Sequence, residues 1–317
     1  MSDTPHFVRE DVKILLGMLE QAAGPTMSEM TLEEARASYI ALHQMTDRPA
    51  RELAVIRDLT CPGPAGDIAL RLYDSRDTRE AGPVIMFYHG GGFVIGDLDT
   101  HHNLCTEIAA QMDFPVLAVD YRLAPEHPFP AAVDDCEAAT RWAAGNPAEL
   151  GRSATGLILM GDSAGGNATI VTMQALRDAP ADCPVILQVP LFPLASNANG
   201  SRSMEKFAEG FLLTKASMEF FDQSYAADTA DSRAFPILSG HAGSAPAVIA
   251  TASLDPIRDS GRDYAAALGM AGIDHVYLEM RGITHSFSNL RQAVPSTQGD
   301  LERVFAAMKF MLGNPGV

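Results

Sequence analysis

Residues 157–167 read Leu157-Ile158-Leu159-Met160-Gly161-Asp162-Ser163-Ala164-Gly165-Gly166-Asn167. The fold follows from the change of character at Gly161. Four apolar residues in a row suit a short strand buried on both faces. The glycines then permit a turn too tight for side chains, and Ala168-Thr169-Ile170 continues as a helix. Gly161-x-Ser163-x-Gly165 in that strand–turn–helix setting is the pattern of a nucleophile elbow. It leaves a serine hydroxyl exposed at a helix N-terminus, where the helix dipole favours developing negative charge. The rival reading is a glycine-rich turn in which Ser163 only caps the helix.

Outward from this stretch, short apolar runs alternate with helical segments. The runs are Val84–Tyr88, Val116–Asp120, Val185–Val189, Val248–Ala252 and Val276–Met280. Helices are expected at about 101–112, 131–145, 164–178, 258–271 and 299–312. Such alternation predicts βαβ units around a parallel sheet covered on both faces. Ala54–Leu59 and Ile68–Tyr73 flank a Pro/Gly-rich turn and read as a hairpin. The first fifty residues read as helical: Val12, Leu15, Leu16 and Leu19 recur at helical spacing, and Thr31-x-x-Glu34 fits a capping box.

One segment breaks the alternation. After the Ser/Asn-rich residues 196–201, an aromatic- and methionine-rich helical stretch runs to about residue 227. At the carboxyl end of a strand, such an insertion reads as a lid; ordinary core packing is the alternative. The expected division is a cap part at 1–50, core at 51–195, cap insertion at 196–227 and core again at 228–317.

The formal net charge of −17 repels phosphate backbones and anionic lipid, which disfavours nucleic acid and membrane partners. No run approaches the roughly 18 apolar residues that span a bilayer. The N-terminus shows neither a basic leader nor a cleavage site, so the expected location is cytoplasmic. Cys61, Cys105, Cys136 and Cys183 form no C-x-x-C pair and read as reduced, buried thiols. Adjacent His101 and His102 would point apart on a helix, so no metal is expected.

His89-Gly90-Gly91-Gly92-Phe93 follows the strand Val84–Tyr88 directly. Three glycines let backbone N–H groups approach a ligand closely, which suits half of an oxyanion hole completed by the N–H after the nucleophile. A nucleotide loop is the rival, but neither G-x-G-x-x-G nor Walker spacing is present. A serine nucleophile needs a base, and the base an orienting acid, in the order Ser, Asp or Glu, His. Of His241, His275 and His285, only His285 falls after a strand at the carboxyl edge of the sheet. Asp255 follows the strand Val248–Ala252, although Asp255-Pro256 also reads as a helix N-cap. Asp259 is the fallback.

With these motifs in hand, the chain resembles the bacterial hormone-sensitive-lipase-like esterases of the α/β-hydrolase superfamily. The resemblance rests on His89–Phe93, Asp120-Tyr-Arg-Leu-Ala-Pro-Glu126, Gly161–Asn167 and Asp255-Pro-Ile-Arg-Asp259, in the family's order, across roughly residues 53–313. It implies an α/β-hydrolase fold with a mostly parallel sheet of about eight strands and a helical cap made from the N-terminal helices and 196–227. It also implies Ser163, Asp255 and His285 as a triad, with the N–H groups of Gly91, Gly92 and Ala164 as the oxyanion hole. Where the family usually has His-Gly-Phe, this chain has His285-Ser286-Phe287.

The expected activity is hydrolysis of short- to medium-chain acyl esters through an acyl-enzyme, without a cofactor. Phe93, Phe207, Phe211 and Leu212 are the expected substrate contacts. The alternatives are a non-catalytic ligand-binding protein on the same scaffold, or an amide or thioester hydrolase or acyltransferase with the same triad. An exposed edge strand near Val276–Met280 offers a surface on which two subunits could pair as a homodimer.

Overall fold

The computed structural model describes residues 6–313 apart from 23 and 26. The first five residues of the expected N-terminal cap part and the last four of the chain lie outside them. Two helices come first, α1 (Glu10–Gln21) and α2 (Leu32–Thr46). The capping box forms as expected: Thr31 Oγ1 accepts from the Glu34 N–H, and Glu34 Oε2 accepts from the Thr31 N–H at 2.8 Å.

The sheet is built from β1 (Val55–Gly63), β2 (Gly66–Asp74), β3 (Gly82–Tyr88), β4 (Val116–Asp120), β5 (Ala154–Asp162), β6 (Val185–Leu191), β7 (Ala247–Leu254) and β8 (His275–Thr284), in the spatial order β1-β2-β4-β3-β5-β6-β7-β8. Strand β2 runs antiparallel to both neighbours and every other pairing is parallel. The hairpin turn is shorter than the sequence suggested. Strand pairing reaches Gly63↔Gly66, so Cys61–Gly63 and Gly66–Asp67 belong to the strands. Pro62 is tolerated there because β1 lies at the edge of the sheet, where a missing N–H costs least.

Successive residues of the central strands face opposite layers. Val84, Met86 and Tyr88 of β3 and Leu157 and Leu159 of β5 pack with α4 (Ala131–Ala144) and α5 (Ala164–Asp178). Ile85, Phe87, Ile158 and Met160 pack with α3 (His102–Met112) and α9 (Thr297–Met311). This burial on two faces explains why the strands read as continuous apolar runs rather than alternating ones. Helix α8 (Arg258–Met270) joins β7 to β8.

Between β6 and β7 lie α6 (Arg202–Phe207) and α7 (Lys215–Tyr225), capped by Ser201 and Thr214. The end of α2 is fixed to the core by a buried bidentate pair: Arg291 Nε and Nη2 donate to Asp47 at 2.6 and 2.8 Å. Removing Arg291 would leave Asp47 buried without its cation, at a cost of about 3–5 kcal/mol. Among the described residues, no helix is long and apolar enough to cross a membrane.

Candidate active site

Strand β5 ends at Asp162, and α5 begins at Ala164. Ser163 between them has φ 55° and ψ −115°, a conformation rarely open to a residue with a side chain and worth about 1–3 kcal/mol of strain. Its N–H is held by the Leu191 carbonyl at 2.9 Å. A Cβ on Gly161 would strike the Gly165 and Tyr88 backbone. That is why this turn takes glycine on both sides of the serine.

The last residue of β8 is Thr284, so the strand extends through residues 281–284, which read as loop in the sequence. Glycine at 282, with φ 73°, turns the chain without ending the ladder. His285 follows at once and is buried beneath the Phe192 ring, 4.8 Å between centroids. Its Nε2 lies 2.9 Å from Ser163 Oγ and its Nδ1 2.7 Å from Asp255 Oδ2.

Asp255 is fully buried, and its other oxygen, Oδ1, accepts the Ile257 N–H at 2.9 Å. The sequence left capping and orientation of the base as competing roles. One carboxylate serves a local turn and His285 with different oxygens, while α8 starts only at Arg258, with Ile257 at the N-cap position. Asp259 points elsewhere: Oδ1 accepts from Arg258 and Arg262 and Oδ2 from the Ser203 N–H, tying α6 to α8. His275 Nδ1 meets the Ile273 carbonyl, and His241 packs edge-on to Tyr264.

Gly91 and Gly92 have φ 121° and 61° and line the same cavity as Ser163 and His285. Their N–H groups donate to no other described residue, and the N–H of Ala164, first in α5, has no intrahelical acceptor. Sequence reasoning overlooked what holds this loop. Asp162 Oδ1 accepts the Gly90 N–H at 2.9 Å and sits 3.1 Å from His101 Nε2. Tyr121 Oη donates to the His89 carbonyl at 2.6 Å, and its ring stacks on the His89 ring. Burial opposes the charge on Asp162, but facing His101 keeps its carboxyl below the usual range. Burial, followed by His101, pushes His89 down to about 4. The clue was in Gly161-Asp162-Ser163, where the aspartate precedes the serine in a strand otherwise apolar. His101 and His102 do point apart: His102 Nδ1 meets Tyr73 Oη.

Two cavities open from Ser163 and share Gly92, Leu213 and Phe221 as walls. One continues past Ala164, Leu194, Met218 and Tyr225. The other continues past Tyr39, His43, Leu212, His285 and Ser286. Of the four expected substrate contacts, Phe93 lines the first and Leu212 the second. Phe207 and Phe211 line neither. Phe207 is buried against Arg258 and stacks edge-on with Phe211, because the end of α6 turns toward α8. Ser286 has φ 61°, a left-handed position that favours glycine; the serine instead brings a hydroxyl to the cavity wall.

Residues 85–289 match the family of the alpha/beta hydrolase fold. The chain is 42% identical over 266 residues to the carboxylic ester hydrolase LipN of Mycobacterium tuberculosis, covering 80% of this chain and 70% of that protein. It is 34% identical to the ethyl acetate hydrolase of Pseudomonas putida, over 94% of this chain and 98% of that one. Among solved structures, an ester hydrolase from the metagenome of Lake Arreo, complexed with a bipyridine phosphonate derivative, superposes with a TM-score of 0.91. It is 34% identical and covers 96% of this chain and 99% of its own. The chain belongs to the α/β-hydrolase family, in its hormone-sensitive-lipase-like branch. The hydrolase carries the eight-stranded sheet and elbow expected from its sequence.

Proposed function

We propose that in this carboxylic ester hydrolase Ser163 is the nucleophile, His285 the general base and acid, and Asp255 the group that orients the imidazole. Ester hydrolysis as the activity class is supported by relatives with that activity across most of the chain. The residue roles rest on one observation: His285 bridges Ser163 and Asp255 through its two ring nitrogens.

Ser163 Oγ adds to the ester carbonyl carbon while its proton moves to His285 Nε2. The resulting oxyanion accepts from the N–H groups of Gly91, Gly92 and Ala164. Collapse breaks the bond to the alcohol oxygen, which leaves with the proton from His285. Water then adds to the acyl-enzyme, with His285 again as base, and frees the acid and Ser163. The aspartate at 255 favours the tautomer with Nδ1–H, which leaves Nε2 free to accept.

The cap reading is that α1, α2, α6 and α7 enclose this centre, and that substrates have short to medium acyl chains. The supporting feature is lining: both cavities reach Ser163 between mainly apolar walls, Leu194, Met218 and Ile257 in one and Leu42, Leu212 and Leu290 in the other, as small-ligand sites usually do. A homodimer along the open edge of β8 belongs to the same proposal, and light scattering on the purified protein tests it. The decisive experiment is a chain-length series of nitrophenyl esters with wild type and Ser163→Ala. Activity should peak at short to medium chains and vanish in the variant; wild-type turnover in Ser163→Ala overturns the mechanism.

A further inference from the structure

The two cavities are not chemically equivalent. The bond that breaks in the first half-reaction joins the acyl carbon to the oxygen that takes the proton from His285. The leaving alcohol must therefore lie in front of His285 Nε2. Only the cavity toward α2 is walled by His285 and Ser286. The opposite cavity, walled by Ala164, Leu194, Met218 and Ile257, has no contact with the imidazole. On the triad reading above, the alcohol side faces α2 and the acyl side faces α7.

The α2 side contains a second imidazole. His43, on the inner face of α2, lines the cavity with Ser163 and His285 and is itself buried. Its Nδ1 lies 2.9 Å from the Tyr39 carbonyl. A carbonyl oxygen only accepts, so Nδ1 carries the proton, and a neutral ring then presents Nε2 as an acceptor. That Nε2 has no hydrogen-bond partner among the described residues, yet it is not sealed in the interior as His89 Nε2 is. Neighbouring His101 cannot satisfy it: one of its nitrogens faces Asp162 and the other Thr100 Oγ1. Burial, reinforced by His101, pushes His43 down to about 4, so the ring is neutral at physiological pH.

We propose that His43 Nε2 is a specificity-determining acceptor for the leaving alcohol, and that the enzyme favours esters whose alcohol carries a further O–H donor over esters of plain alkyl alcohols. The substrate class is thus the partial ester of a diol or polyol. The acyl half lies in the other cavity, whose walls are mainly apolar.

The test uses three butanoate esters of similar length, differing only at the end of the alcohol: hydroxyethyl, methoxyethyl and propyl. Wild type should show kcat/KM for the hydroxyethyl ester about tenfold above both others, the worth of one hydrogen bond to a buried acceptor. The methoxyethyl ester, polar but without a donor, should behave like the propyl ester. In His43→Phe the hydroxyethyl-to-propyl ratio should fall to near one, and in His43→Gln, which retains an acceptor, part of the preference should return. The inference is overturned if wild type treats the three esters alike, if it favours methoxyethyl equally, or if His43→Phe keeps the ratio. Nitrophenyl butanoate separates the two levels. Turnover of that ester, abolished by Ser163→Ala, leaves the triad standing whatever the ratios show; turnover that survives Ser163→Ala removes the triad and this inference with it.

Discussion

Gly165, in the first turn of α5, lies so close to Tyr88 at the end of β3 that a Cβ on it would fall inside the van der Waals shell of the Tyr88 carbonyl. Helix α5 cannot move away from β3 without displacing Ser163, the single residue that joins β5 to α5. Gly165→Ala should therefore destabilise by 3 kcal/mol or more, above the usual range of about 1–3 for overpacking because backbone must move. Gly166→Ala, whose Cβ would meet its nearest neighbours at 3.0 Å, should be milder. Thermal melts of both variants, with esterase activity on the folded fraction, check the order. Equal melting temperatures would mean the elbow is looser than drawn.

Asp255 and Asp259 separate just as sharply. Asp255 Oδ2 lies 2.7 Å from His285 Nδ1, whereas Asp259 is occupied by two arginines and the Ser203 N–H. Asp255→Asn should lower kcat by about 10⁴, since the amide favours the wrong imidazole tautomer. Asp259→Asn should instead loosen α6, lowering the melting temperature with kcat within about tenfold of wild type. Steady-state kinetics on nitrophenyl butanoate decide it, and the reverse ranking would reassign the acid.

The parts legible in the sequence were those where backbone geometry dictates residue type. Glycines around Ser163 and after His89 and the apolar runs of β3 to β8 carry a local signature. The cavity wall supplied by residues 212–221 does not. Helix α6 spans six residues, less than two turns, so its periodicity cannot say which face is inward. Leu212 and Gly210 adopt φ of 74° and 82°, redirecting the chain before α7. That redirection puts Phe221 and Met218 at the cavity and leaves Phe207 and Phe211 against Arg258 and each other. The Asp162–His101 contact also joins residues 61 positions apart, and the lone aspartate before Ser163 does not say which residue faces it.

Asp120, the last residue of β4, offers a test through pH. Burial, aided by Asp97 and Asp99 and opposed by Arg71, raises its carboxyl to about 6. The unfolded chain releases that proton near 3.8. Below 3.8 both states hold it and there is no penalty. Stability then falls as pH rises through the interval, and the full cost is present above 6. Two pH units correspond to on the order of 1–3 kcal/mol. Asp120→Asn should therefore melt several degrees above wild type at pH 8 and close to it at pH 4. A constant gap between the two melting curves across that range would show that Asp120 ionises like an exposed carboxylate.

Phe221 shares the boundary between the two cavities with Leu213 and Gly92, and a Cβ on Gly92 would strike its ring. The ring is the natural limit on how far an acyl chain can extend before meeting the alcohol side. Phe221→Ala should open that limit. Each methylene newly buried contributes about 0.8 kcal/mol, or roughly a fourfold gain in kcat/KM per carbon. The optimum in the nitrophenyl ester series should move to longer chains by about two to four carbons, while the acetate is hydrolysed less efficiently for want of a wall to press against. If instead the optimum stayed fixed and all chain lengths fell by the same factor, Phe221 would be supporting the fold of α7 rather than dividing the pocket.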